Sequence, residues 1–446
     1  MYLMEQALLP SEHALDVADR ALAAARRLGC EAAVAVSAGA GLSVTVRKGE
    51  VEVLEHHRDK SLSITVYQGQ RKGSASTSDF SLPAVEDTVA AAVAIAGVAE
   101  PDPHAGLIDP ALLAHDYPDL DLDHPWALEP DAAIQIALEA EAAARAVGGE
   151  VQEVDESAVS RFQGLRAYAD SNGFRGAYRA TRHGQSCTVV GVRDGAMQRG
   201  YWYSMARNAL QLEAASEVGR RATERALAKL GARKLSTRKA PVLLENRVAT
   251  GFIGHLVSAV SGAALYRETS FLRGAAGTQI FPSFLSVHER PHLPRSFGAA
   301  PFDAEGARTF DRALVEQGVL GGYLLDSYAA RRLGLPSTGH AGGAHLLQVS
   351  DQGADFAALL RQMDTGVLVT DLMGFGVNLV TGDYSRGASG FWVERGEIQY
   401  PVEEITIAGN LREMFRTLVA SGCDRETRGS VHCGSLLLAE MTIAGD

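Results

Sequence analysis

Four short stretches carry residue types that could do chemistry. The first is apolar: Arg247 to Arg267 reads as one amphipathic helix, with Phe252, Leu256 and Val260 on one row and Ile253 and Val257 on the next. Gly262 is its expected stop. His255 is the polar ring in that setting. A hydrolytic metal helix needs a histidine, a neighbouring glutamate to take the proton from metal-bound water, and a second histidine. Here Leu256 follows His255, and Ala259 and Val260 stand four and five positions on. The frame of a metal helix is suggested and its chemistry is missing.

The second stretch is a literal HExxH, His288-Glu289-Arg290-Pro291-His292. That motif works only when both histidines project from one helical face. Pro291 inside it, with Pro282 and Pro294 on either side, argues against a helix and for a surface loop. The third is Ser337 to Gly343, where little steric bulk lets backbone approach another group closely. His340 and His345 could reach a ligand there, or be solvated on a Gly-rich connection. No lysine follows the last glycine, so it is not a phosphate loop. The fourth, Gly382 to Trp392, is small and polar and then aromatic. It reads either as a strand edge able to accept an extended peptide, with Tyr384 and Arg386 in contact, or as a strand packed against its own domain.

The elements that must position these residues are legible in outline. A helix over Ser11 to Gly29 precedes an alternating stretch from Glu31 to Thr77, read as four strands punctuated at Gly41, Lys48-Gly49, Asp59-Lys60 and Gln68-Gly69. A second helix runs from about Leu82 to Val98. Residues 101–130 are rich in proline and aspartate and read as an extended linker. The pattern then restarts: a helix over Asp131 to Val147, strands at Val154 to Ser160, Leu165 to Ser171, Phe174 to Arg182, Ser186 to Arg193 and Gln198 to Arg207, and a helix from about Glu213 to Leu230. Asn172-Gly173 is a hairpin turn of the favoured kind. A third unit opens with a buried-type strand at Pro241 to Glu245, and a later hairpin turns at Arg395-Gly396. The expected fold is α+β, with two helix–meander–helix units (1–100 and 131–232) and a larger mixed α/β domain (238–446).

Composition limits the functions. A chain of 446 residues needs two or three cores, and 46% hydrophobic content can fill them. No run of 18 apolar residues suggests a membrane span, and the N-terminus lacks the basic and apolar regions of a secretory signal. Cys30, Cys187, Cys423 and Cys433 are scattered without CxxC spacing, which suits a reducing cytosol. A formal charge of -12 opposes sequence-independent binding to nucleic acid.

Segments 71–81, 233–267, 333–343, 381–411 and 433–445 together resemble the PmbA (TldE) branch of the TldD/PmbA metalloprotease family, and the domain order matches. In that family the TldD partner carries a helical HExxxH and a later cysteine as metal ligands. The resemblance places His255 at the first histidine, Leu256 at the glutamate, Val260 at the second histidine and Cys433 at the cysteine. It implies no catalytic residue and no metal of this chain's own. It further implies zinc in a TldD-type partner, unfolded peptides or leader-bearing precursors as substrates, and a cytoplasmic location. Self-association without the partner is left open. Two alternatives stand beside this reading. One is a self-sufficient metalloprotease using His288, Glu289 and His292, or His255 with Cys433 and a histidine such as His340. The other is a non-enzymatic peptide-binding or scaffolding homo-oligomer.

Overall fold

The computed structural model describes residues 8–445; the first seven residues, part of the stretch read above for a secretory signal, lie outside the described residues. Helix α1 (Ser11–Arg27) leads into strands β1 (Glu31–Arg47), β2 (Glu50–Gln68) and β3 (Arg71–Thr77), closed by α2 (Leu82–Val98). The same order recurs in α3 (Pro130–Ala146), β4 (Val151–Asp170), β5 (Arg175–Arg193), β6 (Ala196–Ala206) and α4 (Ala215–Ala228). The two meanders are not separate layers. Their first strands, β1 and β4, pair antiparallel, so all six form one sheet in the order β3-β2-β1-β4-β5-β6.

Period-two alternation decides what each face does. Val34, Val36, Leu165 and Ala167 lie under α1 and α2, Leu42, Val44 and Val159 under α3, and Cys187 and Val189 against α4. All four helices therefore cover one face and leave the other to the C-terminal domain.

The strands are longer than the sequence suggests. The breaks expected at Gly41 and Asp59-Lys60, between Ser160 and Leu165 and between Arg182 and Ser186 do not occur. Gly41 is there for closeness: a Cβ on it would stand 2.2 Å from the His57 ring and 2.9 Å from the Arg161 carbonyl. A real turn is Lys48-Gly49, where both residues take positive φ, 56° and 79°. At Asn172-Gly173 only the glycine does, with φ 94°, and the Asp170 carboxylate accepts the Asn172 and Phe174 N–H groups.

The proline-rich connection is a strap packed on the domains. Leu113, Leu120, Leu122 and Leu128 are buried, and the Arg331 guanidinium donates to the carbonyls of His104, Gly106 and Leu107.

The C-terminal domain begins with β7 (Arg238–Leu244), α5 (Asn246–Ala259) and α6 (Gly262–Tyr266), then β8 (Val287–Glu289), β9 (Arg312–Glu316) and β10 (Val319–Leu320). It continues through α7 (Ser327–Leu333), β11 (Leu347–Val349), α8 (Phe356–Met363), β12 (Gly366–Met373), β13 (Asp383–Glu394) and β14 (Glu397–Asn410). It ends with α9 (Leu411–Arg416), β15 (Leu418–Ser421), β16 (Val431–His432) and β17 (Leu436–Ala444). One sheet runs β10-β9-β8-β11-β16; the other runs β14-β13-β12-β7-β17-β15, and β14 also pairs with β17, so it closes on itself. The largest core lies between them, where Phe252, Ile253 and Leu256 of α5 meet Val242, Leu244, Val367 and Val369. Each such side chain contributes about 2 kcal/mol on burial. The α+β class is the one the sequence implied.

Two expectations are corrected here. The helix from Arg247 to Arg267 is two helices: α5 stops at Ala259, and Ser261 caps α6 through its hydroxyl. Leu324 causes the break, because its N–H takes the Val260 carbonyl and its own carbonyl takes the Gly262 N–H. Nor is the Gly382 to Trp392 run a free strand edge. β13 is flanked by β12 and β14, and the Ser385 N–H is taken by the Gly376 carbonyl. Its glycines serve packing, since a Cβ on Gly390 would stand 1.9 Å from the Leu368 carbonyl oxygen.

Candidate functional site

His255 is half-buried near the end of α5, its ring 5.9 Å from that of Tyr384 and edge-on to it. Tyr384 itself is only 2% exposed, so in this arrangement it is a wall of the His255 site and offers no surface to a peptide. Arg386, two residues along β13, projects to the same face. Burial and then the Arg386 charge lower the His255 pKa below its ordinary value, which keeps the imidazole neutral at pH 7. The Arg386 Nε is buried without a partner.

The donor set around His255 does not suit a catalytic zinc. Leu256 and Val260 are wholly buried in the apolar core. Cys433 is buried too, its thiol directed at the Gly434 carbonyl 3.1 Å away, and burial pushes its pKa far up, away from the thiolate a metal requires. Arg386 already supplies a positive charge beside the imidazole. Among the described residues, His255 belongs to no group of three or more His, Cys, Asp or Glu close enough to share an ion.

Such a group does exist elsewhere. Glu289, His340 and His345 present ligand atoms that all lie within 4.8 Å of one another. Glu289 comes from the HExxH stretch, yet that stretch is neither a helix nor a surface loop: His288 and Glu289 belong to β8, and Glu289 is fully buried. His292, in the turn beyond, stands 2.9 Å from the Thr309 hydroxyl. His340 and His345 are buried as well and not solvated.

The geometry of this cluster is that of a closed ion pair. His340 Nε2 lies 2.8 Å from Glu289 Oε2, and the Arg312 Nε donates to the same oxygen at 2.9 Å. The His345 N–H donates to Oε1 at 2.8 Å. His340 Nδ1 stands 2.9 Å from the Thr338 hydroxyl, and His345 Nε2 lies 2.9 Å from the Gly339 carbonyl. Burial works to raise the Glu289 pKa, but His340 and Arg312 outweigh it and hold the carboxyl down at about 2. A divalent ion would have to expel the guanidinium, so the residues as arranged do not fit one.

The structure thus separates the candidates that the sequence offered together: His255, Tyr384 and Arg386 lie at one site, and His340 with Glu289 at another. Sequence reasoning missed Arg312 as the partner of Glu289. One signal was available, since Glu289 and Val287 share the alternating inward face of a short strand.

Two antiparallel meander units fused into one sheet, followed by a domain with a closed sheet, define an α+β protein of a specific architecture. The chain belongs to the PmbA/TldA metallopeptidase family: its residues 32–96 match domain 1, 123–230 the central domain and 237–445 the C-terminal domain. It is 48% identical to the metalloprotease PmbA of Escherichia coli O157:H7, over 95% of this chain and 94% of that one. A solved Bacteroides thetaiotaomicron structure, described as a candidate modulator of DNA gyrase, superposes with a TM-score of 0.93 at 27% identity, covering 98% of this chain and 100% of that one. TldE from Thermococcus kodakarensis shares the fold, with a TM-score of 0.85 at 20% identity over 96% and 100% of the two chains.

Proposed function

We propose that this chain is the PmbA/TldE-type subunit of a two-protein metallopeptidase. In this reading it supplies chamber wall and surfaces that hold peptide, while a TldD-type partner supplies zinc and the general base. The substrates are unfolded peptides and leader-bearing precursors in the cytoplasm. The observation that carries the reading is the apolar replacement at the metal helix: Leu256 and Val260, both wholly buried, stand where a base and a ligand would be needed. The positive charge of Arg386 beside the His255 imidazole adds support, because it opposes a divalent cation there. Among the described residues no helix is long and apolar enough to cross a membrane.

A peptidase assay tests this. The purified chain alone should leave an unstructured peptide intact, and cleavage should appear when the TldD-type protein is added. Cleavage by the chain alone would overturn the reading. The proximity of Glu289, His340 and His345 raises a second reading, a self-sufficient metal centre, which the Arg312 guanidinium bound to Glu289 opposes. It requires activity that chelators abolish in the isolated chain and that Glu289→Gln removes.

A further inference from the structure

The sheet face that carries no helices forms the floor of a crevice of about 800 Å³, whose opposite wall is made by residues 297–304 and 341–345 of the C-terminal domain. At its centre Gly39 pairs with Gly164, and Gly164 with Ala180; the Phe162 ring lies over both glycines and the Asp59 carboxylate over Gly39. Around that small-residue centre stand three arginines. Arg166 on β4 and Arg182 on β5 are exposed, and Arg207, just beyond β6, is half-buried.

Among the described residues none of the three has a carboxylate partner within ion-pair distance, although the chain as a whole is acidic. Among the described residues Arg207 donates to the Thr181 and Ser296 carbonyls and keeps a buried Nε with no partner, and it lies 4.8 Å over the Phe297 ring. Arg182 rests 5.9 Å over the Phe162 ring. Burial, and after it the fields of Arg182 and Arg166, lowers the Arg207 pKa.

Two acids also line the crevice. The Asp303 carboxylate is occupied by the N–H groups of Glu305, Ala307 and Ala341, and Asp59 sits exposed on β2. The far wall is fixed before any ligand arrives, because Asp303 holds the Ala341 N–H and Glu289 holds the His345 N–H. Gly343 leaves open space there.

We propose that this crevice binds an extended acidic peptide segment, with Arg166 and Arg182 each taking one carboxylate. The register argues for a peptide over a single small anion. Arg166 pairs with Tyr178, and Arg182 lies four residues further along β5. That is about 13 Å along the strand, the span of four residues of extended chain, so carboxylates at positions i and i+4 meet the two guanidiniums. Arg207 sits deeper and adds positive potential, and with Arg166 and Arg182 it outnumbers the one exposed acid, Asp59. This inference rests on the proposed function, since it names the class of peptide that the subunit would hold.

The test uses the full chain and a fluorescein-labelled, unstructured decapeptide with two glutamates four residues apart. Its control is the same peptide with both replaced by glutamine. Anisotropy should show the acidic peptide binding at least about tenfold more tightly, with the advantage shrinking as salt rises from about 50 to 300 mM. The double variant Arg166→Gln/Arg182→Gln, whose side chains are exposed and whose thermal unfolding checks the fold, should lose that advantage. Equal binding of the two peptides, or full binding by the double variant, would overturn the proposal. So would tight, Arg166-dependent binding of inorganic phosphate with no preference for the acidic peptide, which would mark a phosphate site. Failure of the wild-type chain and its partner to cleave any peptide would overturn the proposed function and leave this binding result standing.

Discussion

Glu289 shows how a residue's surroundings set its chemistry. It occupies the glutamate position of a metalloprotease motif, yet Arg312 and His340 bind its carboxylate in the core. Its folded pKa, about 2, lies below the ordinary value for glutamate. The stability it contributes is therefore present above pH 4.3 or so and is lost as pH falls toward 2. Glu289→Gln should cost about 3 kcal/mol at pH 7, because it removes the counter-charge of the largely buried Arg312 guanidinium, which otherwise donates to the Tyr323 carbonyl. Denaturant titrations of both proteins should show that gap narrowing between about pH 5 and 3; a gap independent of pH would contradict the assignment. Cys433 is the opposite case. Its thiol is wholly buried and protonated, so Cys433→Ala should cost about 1 kcal/mol of stability as a small packing loss. The substitution should leave peptide cleavage by the complex unchanged, as read by initial rates matched for folded protein.

The elements were legible to different degrees, for physical reasons. Helices with a clear apolar stripe, such as Ser11–Arg27, stand within a residue or two of where period and end signals put them. The long strands were not legible, because glycine marks both turns and places where backbones approach closely; Gly41 is the second kind. The closed C-terminal sheet depends on pairing between β14 and β17, some 35 residues apart, which no local pattern announces. β13 is an interior strand because β12 and β14 flank it, and the closure removes the free edge at β14. Gly390→Ala should accordingly destabilise the domain by about 2 kcal/mol or more through a forced shift against Leu368. A denaturation midpoint equal to that of the parent protein would show that the contact is looser than the structure has it.

At the scale of the whole molecule, the site residues are distributed across domains that meet through buried polar contacts. Glu305 lies at such a meeting, bonded to Ser327 at the start of α7 and within the field of Tyr67 and Tyr168 of the large sheet. Burial, with Asp303 and Asp326 adding to it, pushes its pKa up to about 7. The fold favours the protonated form, so this contribution is full below the unfolded value near 4.3 and is lost as pH rises through about 7. Glu305→Gln should flatten that slope, and the wild type should lose ground to the variant between about pH 5 and 8 in thermal unfolding. Parallel curves for the two would contradict it.

The central claim is that the metal helix of this chain carries no working metal centre. Metal analysis of the isolated chain, purified without chelator and then dialysed against a slight excess of zinc, addresses it most directly. The expected result is far less than one tightly held zinc per chain, with no change on His255→Ala. One zinc per chain, retained through dialysis and lost in the His255→Ala protein, would contradict the account.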